Sequence, residues 1–226
     1  MTAMDKQTFV TILNGMEKVS SFAATISPLF NIITAVVKVT KAVVAKDLTQ
    51  DQDANNFGQI HAKLEKISQN NQNFLKQIHL DEVNEKYGQC EEFIRHQYTA
   101  FNTMVEQIQK DPEGRERYMK DFQEVYEGDK CDFALNTYYD SVIEENKAFE
   151  QRGLLKVYLE HYKEDQDVME KKCSQLANIF RMGLMTRMAY KVAKGHNVDD
   201  FRVEWELKVK KIQEKMDEAL AQCEGN

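Results

Sequence analysis

Residues 22–45 read FAATISPLFNIITAVVKVTKAVVA and form the most apolar stretch of this 226-residue chain. Ser27 and Pro28 predict a helix start, because serine is a favoured N-cap and proline is favoured at the first helical position. The residues that follow are apolar around most of the predicted helix, whereas most of the remaining chain is charged and amphipathic. A helix of this kind either packs at the centre of a bundle or enters a membrane.

The polar residues of this segment are predicted to lie on one narrow face. They follow one another at steps of four and three residues, which is the spacing of a stripe along a helix of about 3.6 residues per turn. The polar stripe consists of Ser27, Asn31, Thr34, Lys38 and Lys41. The residues predicted to face lipid in a membrane are Leu29, Phe30, Ile32, Ile33, Val36, Val37, Val39, Val43 and Val44.

The predicted helix over residues 29–45 is too short and too charged for a permanent membrane anchor. At about 1.5 Å per residue it is about 26 Å long, which is short of the roughly 30 Å hydrocarbon core. A lone helix would also bring two lysines into that core at considerable cost. Conditional insertion, in an oligomer that shields Lys38 and Lys41, stays open. The first residues lack the features of a secretory signal, so we expect a cytoplasmic protein or one peripheral to a membrane.

Charge is divided unevenly along the chain. The formal net charge of −7 argues against a general nucleic-acid binder. Residues 1–46 contain five lysines against Asp5 and Glu17, a net charge of +3, so the remainder carries −10. The basic, apolar end is the part that we expect to meet an anionic lipid surface.

Residues 47–226 are predicted to form acidic, amphipathic helices. The chain has only two prolines and nine glycines, 30% of its residues are charged, and no stretch alternates long enough for a strand. We predict a single all-α domain over residues 1–226, built as an elongated bundle of long antiparallel helices. An apolar seam from Phe57 carries Asn71 at a core position, which either fixes helix register or leaves a partly solvated gap.

Several positions are expected to begin or end helices. The phase of the apolar pattern changes near Leu80, so residues 57–110 form either one long helix or two. The sequence Asp111-Pro-Glu-Gly predicts a break and a new helix start. Shorter helices are predicted to end near Glu127 and to cover residues 132–149. A long helix is predicted from Gly153 to Gly195, and a last one covers residues 198–220.

The predicted helix before Gly195 contains a methionine-rich patch, FRMGLMTRMAY at residues 180–190. Methionine packs adaptably in cores and also occurs on binding surfaces. We favour the interpretation that this patch is core, packed against the apolar segment 22–45. The alternative is a binding surface.

The sequence offers no catalytic or metal-binding motif. The five histidines are scattered, and the four cysteines lack metal-ligand or redox spacing. Cys90 and Cys173 lie at apolar helical positions and are expected to be reduced packing residues. Adjacent acidic pairs such as Glu164-Asp165 point in different directions on a helix and are expected to be solvated. We therefore predict a non-enzymatic protein without cofactor or metal.

Several blocks resemble the rapunzel family of fish proteins. They span most of the chain in the family's order and are SSFAATISPLF (20–30), IHAKLEKIS (60–68), DEVNEKYG (81–88), HQYTAFN (96–102) and LLKVYLE (154–160). The resemblance implies a non-enzymatic family linked to fin and skeletal development and to immune signalling. That family is similar to cephalotoxin-like and other helical pore-forming proteins, so the implied fold resembles the α-type pore-forming toxins.

Two functions follow as hypotheses. In the first, the bundle stores segment 22–45 and releases it to an anionic membrane, as a homo-oligomer if the lysines are to be shielded. In the second, the chain is a cytosolic interaction protein in developmental or immune signalling, and segment 22–45 is the central core helix. The first hypothesis names a lipid partner and the second a protein partner.

Overall fold

The computed structural model describes residues 62, 65, 66, 69, 70, 72, 73, 75, 80–129, 131–143 and 153–223. All the described residues between 62 and 75 are helical. Six further α-helices follow: α1 (Asp81–Lys110), α2 (Arg115–Gly128), α3 (Cys131–Ile143), α4 (Leu154–Tyr162), α5 (Gln166–Ala193) and α6 (Asp199–Ala221). No strand occurs in these ranges, and the predicted all-α class is confirmed. Helices α1, α5 and α6 are long, with 30, 28 and 23 residues, and the other three are short.

The helical structure is interrupted before α1, at the position where the apolar pattern of the sequence changes phase. Leu80 is extended, with φ −113° and ψ 109°, and its carbonyl accepts a hydrogen bond from the Val83 amide at 3.1 Å. Residues 57–110 are therefore not one continuous helix. The core positions of the predicted seam that begins at Phe57, including Asn71, lie outside the described residues.

Asp111 ends α1 and starts the next helical stretch, as predicted. Its side chain accepts a hydrogen bond from the Gly114 amide at 3.2 Å across the 3-10 turn Pro112–Gly114. The Tyr118 hydroxyl donates a second hydrogen bond to Asp111 at 2.8 Å. The N-cap and proline combination thus turns the chain sharply, and α2 then packs Phe122 against Phe101 of α1 with 6.0 Å between ring centroids.

The prediction of a single helix from Gly153 to Gly195 is wrong, because the helix ends at Tyr162 and a new one begins at Gln166. The Asp165 carboxylate accepts a hydrogen bond from the Val168 amide at 3.0 Å and caps α5. The Asp165 amide donates to the Tyr162 carbonyl at 2.9 Å. An aspartate that satisfies a free N-terminal amide favours a new helix over continuation of the old one. The C-terminal stop is confirmed, since Gly195 has φ +70°.

Helix α5 occupies the centre of the described bundle. It contacts each of the other five helices. Its buried residues number 18 of 28, and they lie on every side of the helix. It packs closely on α3 at Gly183, where an added Cβ would lie 2.7 Å from the Leu135 Cδ1 atom. A helix that is buried all round is a central core helix.

Helix α6 covers α5 with one apolar stripe. The predicted residues Phe201, Trp205, Val209, Ile212 and Met216 are all buried. Their spacing of three and four residues is that of one helix face. Arg187 of α5 lies over the ring of Phe201 at 5.0 Å. On the outer face of α6, Val203 and Leu207 are exposed.

Candidate functional site

The residues predicted to meet a membrane all lie outside the described part of the chain. This applies to the lipid-facing set Leu29, Phe30, Ile32, Ile33, Val36, Val37, Val39, Val43 and Val44. It applies equally to the polar stripe of Ser27, Asn31, Thr34, Lys38 and Lys41. Among the described helices, none combines the length and the apolar character needed to cross a membrane.

The methionine-rich patch belongs to the core, as favoured from the sequence. Met182, Met185 and Met188 are each at most 3% exposed. They share α5 with an arginine, Arg181, that is also buried. The segment against which the patch was expected to pack lies outside the described residues.

Arg181 is the centre of a buried polar network that we call the Arg181 cluster. It is 1% exposed, and its Nη2 atom lies 3.3 Å from Oε1 of Glu65. Its Nη1 group donates to the Tyr98 hydroxyl and its Nε group to Oδ1 of Asn178, both at 2.8 Å. Three oxygen acceptors from three parts of the chain therefore satisfy one buried guanidinium. Charged hydrogen bonds of this kind are stronger than neutral ones.

The Tyr98 ring and hydroxyl both contribute to this cluster. The Arg181 guanidinium carbon lies 5.0 Å from the centre of the ring, in cation–π geometry. Burial raises the pKa of Tyr98, and the neighbouring Arg181 charge offsets part of that rise. Tyr98 is therefore a neutral hydrogen-bonding group at physiological pH.

A second arginine, Arg95 of α1, makes a comparable contact nearer the surface. Its Nη2 atom lies 2.7 Å from Oε1 of Glu91, one turn earlier on the same helix. With its amide turned so that the oxygen faces the guanidinium, Gln72 accepts hydrogen bonds from Arg95 Nη1 and Nη2 at 2.6 and 2.8 Å. Glu91 also accepts a hydrogen bond from the Tyr138 hydroxyl of α3 at 3.3 Å.

The two arginines hold the helical residues between 62 and 75 against the bundle. Glu65 and Gln72 are seven residues apart, so they lie on one face of a helix. Glu65 contacts Arg181 of α5, and Gln72 contacts Arg95 of α1. Leu75, one turn further along, is 6% exposed. This part of the chain is thus attached by one ion pair, by hydrogen bonds from Arg95 to Gln72 and by an apolar side chain.

A cleft of about 560 Å³ opens between α1 and α5. Val83 of α1 and Leu176 and Ile179 of α5 contribute apolar walls. Tyr138 of α3 and Tyr158 of α4 also line it, together with a set of charged and polar side chains that includes Glu91, Glu92, Arg95 and Lys172. The volume is in the range of small-molecule sites, which is typically about 300–1,000 Å³.

Lys172 is the buried cation of the cleft. It is 7% exposed, and its Nζ atom lies 5.3 Å from the ring centre of Tyr158 and 5.9 Å from that of Tyr162. Burial lowers the pKa of this amine, and the nearby Glu91 carboxylate partly opposes the shift. The tyrosine faces hold the ammonium at the wall of the cleft.

The described cysteines are free thiols, and His96 makes a contact between two helices. Cys90, Cys173 and Cys223 are free thiols, and Cys90 and Cys173 are buried as expected. Burial raises the pKa of Cys173, which keeps it a neutral thiol. His96 contacts Asp129 at 2.6 Å and connects α1 to the end of α2. Within the described residues no cluster of three potential metal ligands occurs.

Sequence reasoning did not single out Arg181, Lys172 or Glu65. The available signal was local: Arg181 is flanked by apolar residues in the sequence Ile179-Phe180-Arg181-Met182. A charged residue in such a place requires a buried partner. The partner itself is 116 positions away and has no signature in the periodicity of either helix.

Comparisons with known proteins agree with this architecture. Residues 50–226 match the family described as the cephalotoxin-like middle helical domain. The chain therefore belongs to a class of all-α proteins that carry this helical domain. It is also 34% identical, over 218 residues, to the protein rapunzel of Danio rerio, an alignment that covers 96% of this chain and 94% of the relative. The chain belongs to the rapunzel family, as its sequence blocks indicated. No solved structure matches it.

Proposed function

We propose that this chain is a non-enzymatic helical-bundle protein that associates with anionic membranes through its apolar segment 22–45. The described bundle serves as the scaffold that carries the segment. In this proposal the protein resides in the cytoplasm and reaches the membrane surface conditionally. The name of the matching domain, cephalotoxin-like, is compatible with a pore-forming-toxin-like mode of action.

The central position of α5 is the observation that carries this proposal. An apolar segment such as 22–45 was expected either at the centre of the bundle or in a membrane. Helix α5 contacts every other helix of the described bundle and is buried on all sides. That bundle thus has its own central helix, which favours the second use for segment 22–45.

The chemistry of the segment suits an anionic lipid surface. Residues 1–46 carry a net charge of +3, which is attracted to anionic headgroups at about 1 kcal/mol per basic residue near the surface. The wide apolar face gains free energy by entering the acyl boundary. Asn31, Thr34, Lys38 and Lys41 then face water or a second copy of the chain.

Flotation with liposomes tests the proposal. The wild-type protein is expected to float with liposomes that contain phosphatidylserine and to remain at the bottom with purely zwitterionic liposomes. Val36→Asp, which places a carboxylate on the predicted apolar face, is expected to abolish flotation. Because this proposal does not make segment 22–45 the central helix of the bundle, the variant is expected to melt within about 2 °C of wild type. Failure of the wild type to float at any pH or lipid composition would contradict the proposal.

Leu207→Asp is the matched control. It makes the same type of change at a side chain of α6 that is 64% exposed. This variant is expected to float and to melt like the wild type. Loss of flotation in both variants would indicate a general charge effect instead of a specific role of segment 22–45.

The second candidate is a cytosolic interaction protein in fin and skeletal development or immune signalling. The observation that favours it is the exposure of three large apolar side chains, Phe133 on α3 and Val203 and Leu207 one turn apart on α6. In this alternative segment 22–45 is a core helix, so Val36→Asp buries an unpaired carboxylate. It would then lower the stability by several kcal/mol and unfold much of the protein. A melting curve of that variant separates the two functions.

A further inference from the structure

We propose that the cleft between α1 and α5 binds a small uncharged molecule with an apolar body and one hydrogen-bond acceptor, a ketone in the simplest case. The Tyr158 hydroxyl donates a hydrogen bond to the acceptor, and Val83, Leu176 and Ile179 contact the apolar body. This site is separate from segment 22–45 and does not depend on membrane association.

The Tyr158 hydroxyl is a polar group of the cleft whose hydrogen bond is not satisfied within the described chain. Tyr158 lies on α4, lines the cleft and is 5% exposed. Its ring is next to the Lys172 ammonium, but its hydroxyl makes no hydrogen bond to the residues that the structure describes. The neighbouring Tyr138 hydroxyl, in contrast, donates to the Glu91 carboxylate at 3.3 Å. Buried polar groups are almost always hydrogen-bonded, so an unsatisfied hydroxyl in the wall of a cleft indicates a ligand as its partner.

Tyr158 keeps its proton and is therefore available as a donor. Burial raises the pKa of this hydroxyl above its ordinary value of 10.0, and the nearby Glu91 carboxylate raises it further. A phenol donates hydrogen bonds better than it accepts them, because its oxygen lone pair is delocalised into the ring. The ligand atom that faces Tyr158 is thus an acceptor, such as a carbonyl oxygen.

The charged side chains of the cleft balance one another, which favours an uncharged ligand. The lining contains two acidic residues, two basic residues and one histidine: Glu91, Glu92, Arg95, Lys172 and His96. Arg95 pairs with Glu91 at 2.7 Å, and Glu91 also acts on Lys172. Glu92 is exposed, so water screens its charge. A charged ligand would lose hydration in this cleft without gaining a buried counter-charge of its own.

The shape of the cleft fits a molecule with an apolar body. Leu176 and Ile179 lie three residues apart on α5 and form one continuous apolar wall. Val83 of α1 belongs to the same lining and is only partly buried. Sites for small molecules are typically apolar clefts with a few polar groups that fix the orientation of the ligand.

A fluorescent ketone tests the site in the full-length protein. Acetyl-dimethylaminonaphthalene is uncharged and apolar, and its emission moves to longer wavelength when its carbonyl accepts a hydrogen bond. The wild type is expected to bind this ketone about tenfold more tightly than the analogue with a carboxylate in place of the acetyl group, because the carboxylate must be desolvated. Equal or tighter binding of the carboxylate analogue would overturn the proposal.

Tyr158→Phe keeps the ring and removes the hydroxyl. It is expected to weaken binding of the ketone about fivefold, which corresponds to one hydrogen bond between neutral groups. The emission of the bound dye is expected to move to shorter wavelength, because its carbonyl has lost its donor. A merely structural role of Tyr158 would not produce this shift, so unchanged emission would refute the role of the hydroxyl whatever happens to the affinity.

Tyr162→Phe is the matched control. Tyr162 is on the same helix, and its ring centre lies 5.9 Å from the Lys172 Nζ atom against 5.3 Å for Tyr158, but it does not line the cleft. This variant is expected to bind the ketone with the affinity and the emission of the wild type. The same loss in both tyrosine variants would contradict the assignment to Tyr158.

A substitution that fills the cleft tests the site independently of Tyr158. Val83→Trp places a large side chain at a partly buried position of the lining and is expected to abolish ketone binding. Val203→Trp makes the same change at an exposed position of α6 and is expected to bind like the wild type. Val36→Asp, which blocks membrane association in the proposed function, is expected to retain ketone binding. Absence of ketone binding to the wild type, or binding that Val83→Trp leaves unchanged, would rule out the site.

Discussion

Two clusters along helix α5 each combine a basic side chain, a glutamate and a tyrosine, and they differ in how deeply the basic side chain is buried. The Arg181 cluster joins a cation, the Glu65 carboxylate and the Tyr98 ring near the middle of the helix. At its C-terminal end, Lys194 lies 2.7 Å from Glu127 and 5.7 Å from the ring centre of Tyr190. We call this second group the Lys194 cluster.

Burial distinguishes the two clusters more than geometry does. The Lys194 ion pair is shorter than the Arg181 ion pair, 2.7 Å against 3.3 Å. The Arg181 side chain is 1% exposed, however, and the Lys194 side chain is 35% exposed. Water replaces a lost partner at the surface but does not reach one in the core. The longer contact therefore matters more for stability.

Removal of Arg181 is expected to have the largest effect. Arg181→Ala removes the hydrogen bonds that this side chain donates to the Tyr98 hydroxyl, the Asn178 amide oxygen and the Glu65 carboxylate. Hydrogen bonds to a charged group contribute about 1.5–3 kcal/mol each, and removal of the buried Arg181 side chain also leaves a cavity in the core. We expect a melting temperature lower by roughly 10 °C or more, measured by thermal unfolding followed by circular dichroism.

Lys194→Ala is the control on the same helix. It removes the corresponding cation from the exposed cluster, and we expect a melting temperature close to that of the wild type. If Arg181→Ala and Lys194→Ala shift the melting temperature equally, burial does not explain the difference between the clusters.

A smaller effect is expected at Gly183, two residues from Arg181, where α5 packs closely against α3. A methyl group at this position would lie 2.7 Å from the Leu135 Cδ1 atom, and Leu135 is fully buried. Overpacking costs about 1–3 kcal/mol, and the better helix propensity of alanine returns at most about 1 kcal/mol. Gly183→Ala is therefore expected to lower the free energy of unfolding by roughly 1–2 kcal/mol in urea titrations.

Gly128→Ala is the matched control for this variant. A Cβ at the end of α2 meets no atom within 4 Å. The stability of this variant is expected to equal or slightly exceed that of the wild type. A loss of stability similar to that of Gly183→Ala would attribute the effect to glycine in helices in general and not to the α3–α5 contact.

The sequence predicted those parts of the fold that depend on local chemistry. The apolar stripe of α6, the proline-containing turn after Asp111 and the stop at Gly195 each follow from residues close together in the chain. The break at Asp165 was missed, because an acidic pair at a helix surface and an aspartate N-cap have the same composition. Only the free Val168 amide distinguishes them, and it exists once the helix has been interrupted.

The candidate sites were less predictable, because each combines distant residues. Lys172 and Glu91 meet in one cleft only after α1 and α5 have packed together. The periodicity of α5 also did not indicate which helices pack against which of its faces, since a helix buried on every side has no polar face. Segment 22–45 differs in this respect. Its polar stripe does define a face, and the liposome experiment tests that prediction.

The smallest expected effect concerns the Lys194 cluster and depends on pH. The Lys194 ammonium and the Tyr190 hydroxyl lower the pKa of Glu127 below its ordinary value of 4.5. A carboxyl whose pKa is lower in the folded state stabilises that state above its unfolded pKa, and the contribution is lost as the pH falls through the folded pKa. Glu127→Gln is thus expected to melt slightly below wild type at pH 7, with a difference that disappears as the pH falls below the lowered pKa of Glu127.

The informative quantity for Glu127→Gln is the difference in melting temperature from wild type at each pH, because acid protonates other carboxylates in both proteins. Glu124→Gln, which removes a carboxylate 3.7 Å from the exposed Lys120 on the same helix, serves as the control. A Glu127→Gln difference that stays constant across this pH range would show that the ion pair contributes nothing to stability. The exposed end of α5 would then be held by the stacking of Tyr126 on Tyr190 instead.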